Sequence, residues 1–119
     1  MSSYLKKKYF AFVFFAFFTT TLSAAMDLKA YKELQKSSKD MVKIYIYGVG
    51  EGYSWSNTIL QDRGGKALFC VPKNMALNAE NYISITNNRI ASLGGSAVAE
   101  MPIELILYSG LIETFPCVD

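Results

Sequence analysis

Cys70 and Cys117 are the two cysteines of a 119-residue chain that has no histidine. A thiol nucleophile needs a base beside it, and the usual imidazole is absent. The same absence removes a His-based triad and a His-ligated zinc, and two thiolates fall short of a four-thiolate site. Carboxylates are the remaining catalytic candidates. Glu51 sits between Gly50 and Gly52, and Glu104 and Glu113 fall near the C-terminus. A carboxylate pair can cleave a glycosidic bond, but acids on amphipathic helices ordinarily form a solvated face. The expectation is a protein without catalytic residues, metal or cofactor, not an enzyme. Asp62, Arg63 and Lys66 flank Gly64-Gly65 in the stretch Gln61–Lys66. That composition reads as an exposed turn, either merely solvated or aiming charge at a protein partner. These three are the candidate partner-binding residues. No phosphate loop, dinucleotide fingerprint or calcium loop is present.

The N-terminal segment has the layout of a secretory signal. Lys6, Lys7 and Lys8 precede the apolar run Tyr9–Phe18, which holds six of the eight Phe. A polar stretch follows, and Ser23-Ala24-Ala25 offers small residues for cleavage after Ala25. The run is shorter than the roughly 20 residues that cross a bilayer. The expected organisation is therefore a cleavable signal peptide over 1–25 and one exported domain over 26–119. The formal charge of +2 belongs to the signal: without its three lysines, nine bases face ten acids, net −1. Nothing then points to nucleic acid or to stable membrane association after cleavage. In an oxidising compartment an even cysteine pair in a small domain reads as a disulfide. Closing 48 residues between Cys70 and Cys117 stabilises the fold by roughly 4 kcal/mol on chain-entropy grounds.

Four segments must carry these residues. Met26–Ser38 places Leu28, Tyr31 and Leu34 at helical spacing behind Asp27. Asp40–Leu60 is ambiguous. Val42, Ile44 and Ile46 alternate as in a strand, whereas Met41, Tyr45, Gly48, Gly52, Trp55 and Ile59 form a helical stripe. In the helical reading Gly48 and Gly52 let another helix approach closely, outweighing roughly 1 kcal/mol each in propensity. Asn78 is a good N-cap for a helix Ala79–Leu93, with Ala79, Ile83, Thr86, Ile90 and Leu93 on one face and Gly94-Gly95 as the stop. Pro102 suits the first position of a last helix, whose Ile103, Ile106, Leu107, Gly110, Leu111 and Thr114 share a face. Trp55, Tyr45, Tyr47 and Tyr53 read either as interface anchors or as core packing. The linker Leu93–Met101 is a second exposed candidate for partner contact.

Three motifs stand in order behind the signal: Tyr45-Ile46-Tyr47-Gly48-Val49-Gly50-Glu51-Gly52-Tyr53, Phe69-Cys70-Val71-Pro72 and Phe115-Pro116-Cys117. In this combination the chain, from about Asp40 to Cys117, resembles the Rap/Tai family of type VI secretion immunity proteins. The chain departs from that pattern in having no cysteine near Tyr45–Gly48, and in carrying Tyr108 and Gly110 where relatives show an Ala-Leu pair. The resemblance implies an all-α fold of about four helices stapled by one disulfide, with Asp40–Leu60 helical. It also implies a periplasmic protein that binds and neutralises a peptidoglycan amidase effector, with a homodimer left open. A small periplasmic acid-stress chaperone held by one disulfide is the alternative, although its group lacks these motifs.

Overall fold

The computed structural model describes residues 25–118, which form four α-helices, one 3₁₀ turn and no strand. The helices are α1 (Leu28–Ser37), α2 (Lys39–Asp62), α3 (Ala79–Leu93) and α4 (Ile103–Thr114), with the 3₁₀ turn at Gly94–Ser96. The expected signal segment lies outside the described residues.

Each boundary has a local cause. The Asp27 side chain accepts the Ala30 N–H at 2.8 Å and caps α1. Ser38, at φ −150° and ψ 63°, is the single residue between α1 and α2. Asn78 and Asn81 form a reciprocal capping box at 2.9 Å in each direction, and Gly94 ends α3 at φ +52°. Pro102 is the N-cap of α4 rather than its first helical residue, because its ψ of 129° is extended. That extended backbone forms an isolated bridge with Asp27: Leu28 N–H donates to Met101 O and Ile103 N–H to Met26 O, both at 2.9 Å. The start of the domain is thereby pinned to the entry of α4.

The ambiguous segment Asp40–Leu60 is helical throughout, inside the 24-residue α2. Val42 and Ile46 are buried four residues apart, while Ile44 between them is 74% exposed, so the apparent alternation follows a helical period. The stripe expected to pack inward is wrong in phase. Among the described residues nothing lies within 4 Å of a Cβ added at Gly48 or Gly52, and Met41, Trp55 and Ile59 are exposed. The close approach is at Gly50, where a Cβ would stand 2.5–2.6 Å from the Tyr82 ring. α3 lies against α4 in the same way, with a Cβ at Gly110 reaching 2.9 Å from Ile85 Cγ2 and 3.2 Å from its carbonyl. Both crossings need glycine because the facing group is a ring or backbone.

The core gathers Leu28 and Tyr31 of α1, Val42 and Ile46 of α2, Tyr82 and Ile85 of α3, and Ile103, Ile106, Leu107 and Leu111 of α4, with Phe69 from the loop. The face of α3 is centred on Tyr82 and Ile85, leaving Ile83, Ile90 and Leu93 half-buried. Thr114 falls outside the buried face of α4 and is exposed. The disulfide joins Cys70 to Cys117, 47 positions apart, and Cys70 N–H donates to Phe115 O at 2.8 Å. The long loop between α2 and α3 is thus fastened to the end of α4. Buried Asn57 holds the same loop from inside, donating to Phe69 O at 2.8 Å and accepting Leu68 N–H at 2.6 Å.

Candidate functional site

The sequence candidates Asp62, Arg63 and Lys66 share one end of α2. Asp62 is its last residue and Arg63 its C-cap, so the turn proper is shorter than Gln61–Lys66. Gly64 takes φ +80°, whereas Gly65 stays out of the left-handed region and packs on Leu60, which a Cβ would meet at 2.5 Å. All three charged side chains are exposed, and the turn they crown is anchored by Gly65 N–H to Leu60 O at 2.9 Å. A charge display on a firmly held turn can recognise a protein. It cannot perform chemistry by itself.

The three candidate carboxylates are each taken by a different partner. Glu113 pairs with Arg89 at 2.7 Å across α3 and α4. Glu51 accepts the Tyr82 hydroxyl at 3.1 Å, which also shares a 2.8 Å bond with Ser54. Glu104 accepts the Tyr45 hydroxyl, and its backbone carbonyl takes Tyr53 OH at 3.0 Å. Burial, with the Glu104 carboxylate next in importance, raises the pKa of both Tyr45 and Tyr53 above the ordinary phenol value. Burial also pushes Tyr82 up to about 12, against the lowering bond from Ser54. Lys43 and Glu80, an exposed pair linking α2 and α3, shift each other in the directions expected of an ion pair. Among the described residues no group of three or more Cys, Asp or Glu side chains is placed to hold a metal ion.

The aromatic cluster of α2 splits between the two readings made from the sequence. Tyr45 and Tyr53 are half-buried and tie α2 to α4, with Tyr53 also 5.4 Å from the Tyr108 ring. Tyr47 and Trp55 are exposed, Trp55 by 64%. Beside Tyr47, a groove of about 680 Å³ runs between α2 and the disulfide-held loop, walled by Ser54, Thr58, Phe69, Lys73 and Met75. Its wall groups Ser54 and Glu51 are already bonded to Tyr82. The groove is therefore a shaped surface next to the Asp62–Lys66 turn rather than a polar pocket awaiting a small ligand. The sequence signal for the exposed side of α2 was present in the Met41–Ile59 stripe, but the same pattern describes an inward face equally well. Among the described residues no helix is long and apolar enough to cross a membrane. Comparison with protein-family models, with curated proteins and with solved structures gives no match.

Proposed function

We propose that the chain is a periplasmic immunity protein that binds a peptidoglycan amidase effector of a type VI secretion system and covers its active-site cleft, without turnover of its own. The observation that supports this reading is the convergence of its three motifs. Phe69-Cys70-Val71-Pro72 and Phe115-Pro116-Cys117 are joined by the disulfide and by the Cys70–Phe115 backbone bond. Asn57, one turn past the Tyr45–Tyr53 segment, grips the same loop. Residues separated in sequence thus build one rigid end of the molecule, which is what an inhibitor needs to present a preformed surface. Asp62, Arg63, Lys66 and the neighbouring groove form the contact surface in this reading.

The test is to export a candidate amidase, encoded beside this protein, in cells that also make either the whole chain or a form lacking residues 1–25. Rescue from lysis by the exported form alone, with a stable complex on gel filtration, supports the reading. Lysis in both cases with no complex refutes it and favours the acid-stress chaperone, for which acid-induced binding of unfolded client is the direct assay.

A further inference from the structure

The small net charge of the domain conceals a division along the chain. From Met26 to Lys43 five lysines face three acids, whereas from Ile44 to Asp119 four bases face seven acids. Lys29, Lys32 and Lys36 are exposed on α1, and at about 100° per residue they fall within about 60° of arc, with Glu33 beside them. Leu28 and Tyr31, the buried residues of α1, lie off that arc. Lys39 continues the series at the start of α2. Lys43 is paired with Glu80, but among the described residues no acid pairs with Lys29, Lys32, Lys36 or Lys39.

A hollow of about 380 Å³ opens beside Lys39, lined by Gln35 of α1, Lys39 and Val42 of α2, and Ile83 of α3. The amide nitrogen of Gln35 is already engaged, donating to Tyr31 OH at 2.8 Å and to Asn87 Oδ1 at 3.3 Å. Lys39 is therefore the free donor at the rim of a mostly apolar hollow.

We propose that this face rests reversibly on an anionic phospholipid surface, with the lysines over the headgroups and the hollow at Lys39 meeting the upper end of one acyl chain. Charge complementarity calls for an anion, and two features select lipid among anions. The face has no arginine and no exposed aromatic ring, the groups that grip an anion of fixed geometry or stack on bases. Lysines are flexible point charges and suit a surface of mobile charges. The hollow is the second feature. Apolar walls beside a free ammonium match the junction of chain and head in a lipid, and a soluble polyanion offers nothing to fill them. No large apolar residue of α1 is exposed, so the helix lies on the surface without inserting. Four lysines at about fivefold each place half-binding near about 1 mM lipid. The inference does not depend on the proposed immunity function, and its failure leaves that reading standing.

The test is co-sedimentation of the processed, disulfide-intact protein with vesicles, its mass verifying that the apolar run Tyr9–Phe18 is gone. Vesicles of phosphatidylglycerol and phosphatidylcholine in equal parts should carry it down, and pure phosphatidylcholine should not. Partition should be about tenfold stronger in about 10 mM salt than in about 150 mM, because the screening length grows from about 8 to about 30 Å. Lys32→Gln/Lys36→Gln should weaken it about 25-fold, about fivefold for each lysine, with the helical circular dichroism unchanged. Lys66→Gln/Lys73→Gln makes the same change in net charge outside α1 and should leave partition within about twofold. Polyglutamate at equal charge should not displace the protein from the vesicles. Absence of sedimentation with the anionic vesicles in about 10 mM salt overturns the proposal. So do equal losses in the two double variants, or equal binding to pure phosphatidylcholine. Displacement by polyglutamate overturns it in favour of an acidic protein partner.

Discussion

Gly48 and Gly50 are two positions apart on α2 and differ in what a side chain would meet: open space at the first, the Tyr82 ring at the second. Leu at position 50 forces the α2–α3 crossing apart and should cost about 3 kcal/mol, the upper end of ordinary overpacking. Leu at position 48 replaces a poor helix former on the surface and should gain up to about 1 kcal/mol. Urea midpoints at unchanged slope give the two opposite signs. Two midpoint shifts of the same sign would falsify this assignment of faces. Glu104 presents a different residue-scale problem. Among the described residues its Oε2 is buried without a hydrogen-bond partner, while Oε1 takes the Tyr45 hydroxyl, to which Met26 N–H also donates at 3.5 Å. A buried carboxylate oxygen left unpaired is costly. If cleavage follows Ala25, the Met26 amide becomes an ammonium with three donors, one hydroxyl away from that carboxylate. A chain beginning at Met26 should then melt about 4–8 °C above one retaining Ala25, the shift that about 1 kcal/mol produces in a domain of this size. Glu104→Gln should remove that difference. If it persists in the Gln variants, the carboxylate is not the partner of the new N-terminus.

Between helices the couplings are phenolic. Tyr31 reaches from α1 to Asn87 of α3 at 2.8 Å, and Tyr82 from α3 to Ser54 and Glu51 of α2. Burial is the main cause that pushes both hydroxyls up to about 12. Their unfolded value is near 10, so between about pH 10 and 12 the folded chain holds protons that the unfolded chain has released. The stability this represents is complete below pH 10 and is lost as pH rises through the folded values. The melting temperature should fall over that window, and a Tyr31→Phe/Tyr82→Phe double variant should fall less steeply; an identical slope would assign the loss to other groups. These couplings also mark how far the sequence could be read. Caps and stops were legible because Asp27, Asn78 and Gly94 act on their immediate neighbours. The helical state of α2 was not legible from period alone, since Val42, Ile44 and Ile46 fit either period locally. Its phase was misread because the helix has apolar residues on two sides and a sequence does not say which side has a partner within the chain. Tyr82 was missed as the centre of α3 because its burial depends on a glycine 32 positions earlier.

At the scale of the molecule the two exposed features of α2 are separate. The Met41–Ile59 face runs along the flank of the helix, whereas Asp62, Arg63 and Lys66 cluster at its C-terminal end beside the disulfide-held loop. Arg63 is the strongest single anchor available in that cluster, since guanidinium groups are enriched among residues that dominate protein interfaces. Arg63→Ala should weaken the amidase complex by more than about 1 kcal/mol, the threshold for a residue that matters at an interface. The same variant should fold like the parent, because Arg63 caps α2 through its backbone. Gly48→Leu, on the flank, should keep amidase affinity. Isothermal titration of the amidase into each variant, with thermal melting of the same samples, separates binding from folding. Loss of amidase affinity in Gly48→Leu as well would mean that the flank and the end form one surface.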